Sequence, residues 1–357
     1  MRKNTPEYRS WKKYHDEKNL KKRTARKKFN KRKVTKKAAN SKKRQPDKVF
    51  VVPEIFSIVI NPDTTISFLN KVIRSVEGVR NLQKQHRNNY IRTFLIDMCD
   101  TKYISSDALM YLLTIIQNTR GQKILPIDWI GNLPKETNVR EFLKRSGYLN
   151  YMKTSAENIV QVDDNIQIKS GIGYNYIENN QNKDIRQEII DFSCQKLNKD
   201  KRDINYLMTM LTEMITNIID HAYQKQGLFK HQWYIFVDNN IDKITYTFMD
   251  NGLGIPTTIR KSIVEKIIET INAETEYKYI ETALSGVHKR SETGKRERGN
   301  GLPSIYEQYL NKKIKNFVII SNKAYYSENK KYDLPEGLNG TVFYWEIKKE
   351  EKWYDYD

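Results

Sequence analysis

The pattern of apolar and polar positions from about residue 50 onward predicts alternating strands and helices. Short apolar runs predict strands at 54–60, 93–98 and 124–130, and apolar residues at helical spacing predict helices at 64–76, 105–118 and 139–146. This alternation indicates a small α/β domain at residues 49–153. The range 154–183, rich in Asn, Asp, Gln and Gly, predicts a linker or a polar hairpin.

A second series of elements starts at Asp184, a suitable N-cap residue. Helical patterns are found at 184–197, 202–226, 257–283 and 302–310, and strand patterns at 233–237, 243–249, 317–321 and 341–347. They predict a second domain at residues 184–350. The predicted fold class of the whole chain is therefore α/β and α+β.

Charge distinguishes the first segment from the rest of the chain. Residues 1–48 contain 21 Lys and Arg against 4 Asp and Glu, so they carry most of the formal net charge of +20. Few apolar residues and strong self-repulsion predict a disordered basic arm. Such an arm can bind the phosphates of nucleic acid, or it can be a solubilising tail, and the sequence leaves both alternatives open.

Cysteine usage and hydropathy exclude several classes of protein. Cys99 and Cys194 are too few for a disulfide framework or a cysteine-based zinc cluster. No apolar stretch approaches the length of about 18 residues that a membrane span needs, and the basic start lacks the apolar core of a signal peptide. We therefore expect a cytoplasmic protein without a membrane partner.

The long helix predicted at 202–226 has two distinct faces. An apolar stripe predicts burial of one face, and Glu213, Asn217, Asp220 and Gln224 recur at the same spacing on another. A plain solvent-exposed face is one reading of this polar set. In the functional reading, Asn217 offers its amide oxygen to Mg²⁺, and Glu213 acts as a general base or orients an attacking water.

Two glycine-containing segments follow the helix. Asp250 ends a predicted strand, where its carboxylate can accept a hydrogen bond from an adenine amino group, and Gly252 and Gly254 allow close approach of the backbone. The second segment, Arg298-Gly299-Asn300-Gly301, precedes a helix that starts at Leu302, so free N–H groups there would face an anion. A structural loop and a solvated basic segment are the alternatives.

In this order, the three segments resemble the GHKL, or histidine-kinase-like, ATPase family, which includes gyrase, histidine kinases and MutL. The resemblance covers about residues 184–347 and implies a sandwich of a mixed sheet with helices on one face. It implies ATP and Mg²⁺ as cofactors, Glu213 as the catalytic residue and Asn217 as the metal ligand. The residues implied to bind the nucleotide are Asn217, Asp220, Asp250, Gly252, Gly254, Arg298, Gly299, Asn300, Gly301, Leu302 and, in a final segment beside the adenine, Thr341.

The upstream domain resembles the STAS domain of anti-anti-sigma factors. The similar segments are Ile-Asp-Met at 96–98, the run at 103–109 and the run at 139–149. The resemblance implies a protein partner, and it makes Ser106 a candidate phosphoacceptor for a GHKL-type serine kinase. A plain helix N-cap is the alternative reading of the serine pair at 105–106.

Together these patterns predict a Mg-ATP-binding regulatory protein, either an ATPase or a protein kinase, with a STAS-like module that binds a protein partner. One alternative is a serine/threonine kinase of the anti-sigma type, acting on itself or on another protein. The other is a nucleic-acid-binding protein that is gated by ATP and uses residues 1–48. A homodimer is a further expectation.

Overall fold

The computed structural model describes residues 45–86, 91–121, 127–148, 163–172, 176–221, 232–262, 275–286 and 301–349. Contacts between residues divide the chain into two units, Met1–Asp47 and Lys48–Asp357. All the helices and strands described below belong to the second unit. They form a mixed α/β structure with parallel and antiparallel sheets, which confirms the predicted fold class at this level. Most of the predicted basic arm lies outside the described residues.

The N-terminal region, residues 48–148, contains two parallel sheets. Its strands are β1 (Lys48–Val51), β2 (Ile55–Phe56), β3 (Arg92–Asp97), β4 (Tyr103–Ile104) and β5 (Ile127–Gly131), and its helices are α1 (Pro62–His86), α2 (Ser106–Gly121) and α3 (Thr137–Arg145). One sheet has the order β1-β3-β5, and β2 pairs with β4. Parallel strands require long crossover connections, which α1 and α2 supply.

The C-terminal region, residues 163–349, is built on one five-stranded sheet. Its strands are β6 (Ile166–Ile172), β7 (Gln232–Asn239), β8 (Lys243–Asp250), β9 (Lys315–Ser327) and β10 (Lys331–Lys348), and its helices are α4 (Tyr176–Leu197), α5 (Asn205–His221), α6 (Ile255–Ser262), α7 (Glu276–Ser285) and α8 (Gly301–Leu310). The sheet order is β6-β7-β8-β10-β9, and every neighbouring pair is antiparallel. This corrects the mixed sheet that the resemblance implies. The sheet is purely antiparallel because β9 lies at its edge and β10 turns back between β9 and β8, antiparallel to both.

Both faces of the five-stranded sheet are buried. We call one the helix face, because its side chains form a core with α4, α5, α7 and α8; it includes Trp233, Ile235, Tyr246, Phe248, Phe317, Ile319, Phe343 and Trp345. We call the other the N-terminal face, because its side chains form a core with the N-terminal region; it includes Tyr234, Phe236, Met249, Val318, Ile320 and Val342. The resemblance implies helices on one face only, whereas here α1 and α2 also pack on the second face.

The range 154–183, predicted as a linker or polar hairpin, contains regular structure. Strand β6 lies in this range and pairs with β7 along its whole length, from Ile166 opposite Asp238 to Ile172 opposite Gln232. Helix α4 begins at Tyr176, so Asp184 lies within the helix and is not its N-cap. The first residues of α4 are mostly polar, and they therefore lack the apolar stripe that reveals a helix in a sequence.

The strand predicted at 54–60 is much shorter in the structure. Only Ile55–Phe56 pairs as a strand, and the next backbone N–H groups are bound by side chains. The N–H of Ser57 donates to Thr65 Oγ1 at 3.2 Å, and the N–H of Ile58 donates to Asp107 Oδ1 at 2.6 Å. These bonds satisfy the backbone without a strand partner, which the apolar pattern alone does not reveal.

Most of the other described elements start within a few residues of their predicted positions. Strand β10 is an exception, because it begins at Lys331 and not at the predicted residue 341, and strands β1 and β4 were not predicted. Helix α5 begins at Asn205, and its described part ends at His221. The helical stretch predicted at 257–283 corresponds to α6 and α7, with residues 263–274 between them outside the described residues. Among the residues that the structure describes, no helix combines the length and the apolar character that crossing a membrane requires.

Candidate functional site

Helices α5 and α8 meet at a very close approach. A Cβ atom placed on Gly301, the first residue of α8, would lie 2.6 Å from Glu213 Oε2 and 3.5 Å from Asn217 Nδ2. A side chain at this position would force the end of the Glu213 side chain to move, so glycine is the residue that fits Glu213 where it lies. The start of α8 therefore lies directly against the face of α5 that carries Glu213 and Asn217. The structure thus brings together residues from the first and third predicted segments.

Some predicted site residues cannot be placed in this contact. Arg298, Gly299 and Asn300 lie outside the described residues. Asp220 belongs to α5, but its side chain is not among those described. Leu302 follows Gly301 in the first turn of α8 and is half-buried in the core of the helix face. For the third segment, the described geometry therefore rests on Gly301 and Leu302.

Glu213 has the environment of a carboxylate that can exchange a proton. It is half-buried, and this loss of solvation raises its pKa above the ordinary value. The start of α8 next to it carries the partial positive charge of a helix N-terminus, which favours anions. A glutamate with a raised pKa is better matched to proton transfer near neutral pH than an exposed one. The position suits a general base, as the sequence predicts.

Asp250 lies at the end of β8 with its carboxyl group on the helix face. It is 7% exposed, and one carboxyl oxygen accepts the N–H of Gly252 at 2.7 Å. Burial raises the pKa of Asp250 to about 6, although the hydrogen bonds from Gly252 and Thr341 act in the opposite direction. At neutral pH the group is therefore mostly ionised, with acceptor capacity left for a donor on a ligand.

Gly340 brings β10 against the backbone of Asp250. Its φ is +93°, and an added Cβ would lie 2.0 Å from the carbonyl oxygen of Asp250. No side chain can occupy this space, and the backbone conformation is itself one that favours glycine. The next residue, Thr341, pairs directly with Asp250 and with Ser321. Thr341 is therefore a direct neighbour of Asp250, the residue proposed to contact adenine.

Asn322 of β9 stabilises the conformation of the segment 252–257 by hydrogen bonds. Its Nδ2 donates to the carbonyl of Leu253 at 3.0 Å, and its Oδ1 accepts the hydroxyl of Thr257 at 3.0 Å. An added Cβ on Gly254, whose φ is +82°, would lie 2.5 Å from the same Oδ1. The close approach that the glycine allows is therefore made to a protein side chain. Sequence reasoning missed Asn322, although a polar residue that interrupts a strand was a usable signal.

Ser321 joins the same loop to the sheet. Its hydroxyl accepts the N–H of Ile255 at 2.9 Å and lies 3.0 Å from Thr341 Oγ1. The row Asp250, Thr341 and Ser321 thus crosses three neighbouring strands at one end of the sheet. Ser321 was also missed, because nothing in its local sequence indicates a partner 66 residues away.

Ser106, the predicted phosphoacceptor, lies on the other side of the sheet from Glu213. Its hydroxyl is 2.8 Å from Thr247 Oγ1, and Thr247 is fully buried. Thr247 alternates along β8 with Tyr246 and Phe248, whose side chains belong to the helix face. The structure therefore does not bring Ser106 and Glu213 together, and phosphorylation of Ser106 requires this hydroxyl contact to open.

The described residues contain no group of three or more His, Cys, Asp and Glu side chains placed to hold a metal ion. Mg²⁺ does not require such a group, because it keeps several waters and takes oxygens from phosphate. Asn217 beside Glu213 is a small donor set of the kind that suits this mode of binding. The residues present therefore fit a metal that arrives with a nucleotide.

No protein-family model matches this sequence, and no curated protein matches it. The chemistry of the site therefore rests on its own residues and their geometry.

Proposed function

We propose that this protein binds Mg-ATP in a GHKL-type site of the C-terminal region and acts as a regulatory ATPase or kinase-type protein. The observation that carries the proposal is the approach of Gly301 to Glu213, at 2.6 Å from the added Cβ to Oε2. It joins two segments that lie far apart in the sequence and that a phosphate site of this type needs. The buried carboxylate of Asp250, on the same face of the sheet, adds an adenine acceptor.

Each part of the site has a distinct role in this proposal. Asp250 accepts a hydrogen bond from the 6-amino group of adenine. Gly252 has no side chain, so the adenine ring can come close to the backbone there. The free N–H groups at the start of α8 bind phosphate oxygens, and the helix dipole favours their negative charge. Thr341 lies beside Asp250, and the two residues together form the polar surface that faces adenine.

Asn217 and Glu213 act at the phosphates of the bound nucleotide. Asn217 offers its amide oxygen to Mg²⁺, and when bound this ion neutralises charge on the phosphates. Glu213, one helical turn earlier on α5, holds a water or an acceptor hydroxyl and takes its proton. The raised pKa of this carboxyl group supports the role.

In the proposal the N-terminal region supplies regulation. It resembles a STAS domain in sequence, and its α1 and α2 pack on the N-terminal face. A protein partner that bound this region could therefore alter the sheet that carries Asp250. The protein would then act as an ATP-dependent regulator.

Binding and turnover of ATP test the proposal directly. We expect the full-length protein to bind Mg-ATP, and Asp250→Asn to weaken binding about 10- to 100-fold, the effect of losing a hydrogen bond to a charged group. Glu213→Ala should keep binding but lower the rate of phosphate release, or of phosphate transfer to protein, by about 100-fold or more. Isothermal titration and labelled ATP measure these quantities.

Two matched variants serve as controls. Asp242→Asn changes an exposed carboxylate at the opposite end of β8, and Glu307→Ala changes an exposed glutamate on α8. Both should bind and turn over ATP as the unchanged protein does. Absence of ATP binding by the unchanged protein, or equal affinities for it and Asp250→Asn, would contradict the proposal.

A further inference from the structure

Tyr111 connects the N-terminal region to the candidate nucleotide site through one residue of β10. Its hydroxyl donates to the carbonyl oxygen of Asn339 at 3.1 Å and accepts the N–H of Asn339 at 3.0 Å. Tyr111 is 3% exposed and lies on α2. One buried hydroxyl thus satisfies both backbone groups of a residue 228 positions further along the chain. Such a pair of bonds fixes the position of that backbone in two directions.

Asn339 lies where β10 is irregular. The pairing of β10 with β9 shifts register between Leu338 and Thr341, and the pairing with β8 begins at Thr341 opposite Asp250. The backbone of Asn339 therefore lies outside the regular ladder on both sides. The hydroxyl of Tyr111 supplies the hydrogen bonds that a ladder would otherwise supply.

The position of Asn339 is transmitted to Asp250 by contact. The next residue, Gly340, leaves no free space against the carbonyl of Asp250, since an added Cβ would lie 2.0 Å from it. A shift of the backbone at 339–340 must therefore move Asp250 or the neighbouring Thr341. Burial raises the pKa of Tyr111, and the charge of Asp250 adds to this effect, in agreement with their proximity.

We propose that Tyr111 is a positioning residue of the nucleotide site, through which the N-terminal region holds Asp250 where it recognises the amino group of a purine. The inference rests on the proposed function and names one specificity determinant that the C-terminal region does not itself contain. By linkage, nucleotide binding then stabilises the contact between the two regions as much as that contact favours binding.

Tyr325 offers a matched control in the same interface. Its hydroxyl donates to the carbonyl oxygen of Val59 in the N-terminal region at 3.1 Å, and the residue is 6% exposed. Its ring stacks on Tyr332, at 5.0 Å between centroids. Tyr325→Phe therefore removes one hydroxyl bond between the regions without touching the backbone beside Asp250.

The test compares ATP with purine riboside triphosphate, which has a hydrogen in place of the 6-amino group of adenine and no N–H at the neighbouring N1. Tyr111→Phe removes both bonds to Asn339. In the full chain we expect it to weaken Mg-ATP binding about 3- to 10-fold, the effect of misplacing the one hydrogen bond between adenine and Asp250. Affinity for purine riboside triphosphate should stay within about twofold, because Asp250 receives no hydrogen bond from it. Tyr325→Phe should leave both affinities unchanged.

Equal ATP affinity of Tyr111→Phe and the unchanged protein would overturn the inference, and so would an equal loss for both nucleotides. An equal effect of Tyr325→Phe would also overturn it, because general loosening of the interface would then be the cause. An unchanged protein that bound no nucleotide would instead overturn the proposed function on which the inference rests.

A measurement on the unchanged protein avoids dependence on the folding of the variants. Hydrogen exchange of the Asn339 amide reports the bond to Tyr111 directly. Saturating Mg-ATP should slow this exchange about 3- to 10-fold, whereas purine riboside triphosphate should have a smaller effect. No difference between the two nucleotides would contradict the inference.

Discussion

On the helix face of the five-stranded sheet the buried side chains are mostly aromatic and aliphatic, whereas the N-terminal face combines apolar packing with polar bonds between the two regions. The helix face contains stacked rings such as Tyr246 and Trp345, with centroids 5.1 Å apart. On the N-terminal side, Ser106 contacts Thr247, and the hydroxyl of Tyr234 donates to Gln117 Oε1 at 2.7 Å.

The difference shows two ways of using a buried surface. Apolar burial is strong but non-directional, so it stabilises a domain without fixing how neighbouring parts are oriented. Hydrogen bonds contribute only about 1 kcal/mol each but require one geometry. Glu336 of β10 is an example, because Ser67, Asn70 and Arg74 of α1 all bind its carboxylate. The N-terminal face is thus built to hold the two regions in one orientation.

The largest expected effect comes from Gly340 of β10, which contacts the backbone of Asp250. Gly340→Ala introduces a Cβ at 2.0 Å from the carbonyl of Asp250, at a φ of +93°. We expect the free energy of unfolding to fall by more than about 3 kcal/mol, because the backbone has to move. Urea unfolding followed by circular dichroism measures this loss.

Gly78 is the matched control for this change. It lies on α1, and an added Cβ would have no atom within 4 Å. Gly78→Ala should raise the free energy of unfolding by at most about 1 kcal/mol, through helix propensity. Similar losses for the two variants would show that the close approach at Gly340 is not a determinant of stability.

The second prediction concerns the polar end of the helix face and depends on pH. Burial raises the pKa of Asp250 from 3.8 to about 6, so the folded protein binds this proton more tightly than the unfolded chain. The stabilisation from protonation is complete below about pH 4 and is lost as the pH rises through about 6. Ionised Asp250 therefore lowers the free energy of unfolding at pH 7 by about 2 to 3 kcal/mol.

Asp250→Asn removes this dependence. From pH 4 to pH 7, the unchanged protein should become less stable relative to Asp250→Asn. Above pH 7 the difference between their free energies of unfolding should stay constant. Urea titrations at four pH values give the difference, and Asp242→Asn, which changes an exposed carboxylate, is the control. A difference that does not change with pH would show that Asp250 is not buried as described.

The smallest expected effect tests the polar bonds of the N-terminal face. Ser106→Ala and Thr247→Val each remove one hydroxyl of the contact at 2.8 Å. A double-mutant cycle should give a coupling energy of about 1 kcal/mol, the usual contribution of one buried hydrogen bond. Ser75→Ala removes a hydroxyl that donates to the carbonyl oxygen of Lys71 and accepts from Lys48, both in the N-terminal region, and it should show no coupling to Thr247→Val. Zero coupling for Ser106 would show that this bond does not orient the regions.

Sequence patterns located most described elements because those elements have strong periodicity. Helix α5 has a continuous apolar stripe, and β3 contains the short apolar run 94–96, of which Phe94 and Ile96 are buried, so each was recognised from local sequence. Strand β6 was not recognised, although Ile166 and Ile168 alternate with polar residues, because the polar composition of the range 154–183 indicated a linker. The start of α4 was not recognised, because its polar residues form no apolar stripe. Strand β6 depends for its hydrogen bonds on β7, whose paired residues lie 60 to 72 positions further along the chain.

The candidate site likewise contains some residues that local sequence identifies and others that it does not. Glu213, Asn217, Asp250 and Gly301 carry recognisable chemistry in short segments, and the sequence therefore singles them out. Asn322 and Tyr111 act through bonds to residues 69 and 228 positions away, and no local pattern indicates such a partner. Local sequence thus predicts groups that face a ligand better than it predicts groups that hold those residues in place.

The shared core of the N-terminal face has a consequence for how this chain can evolve. Met249 of the sheet and Leu112 of α2 belong to one continuous buried cluster. A change of side-chain volume on one side of that cluster therefore needs a compensating change on the other. Exchange of either region by recombination would place mismatched surfaces together. We expect the two regions to be inherited as one unit, with substitutions at the N-terminal face occurring in correlated pairs.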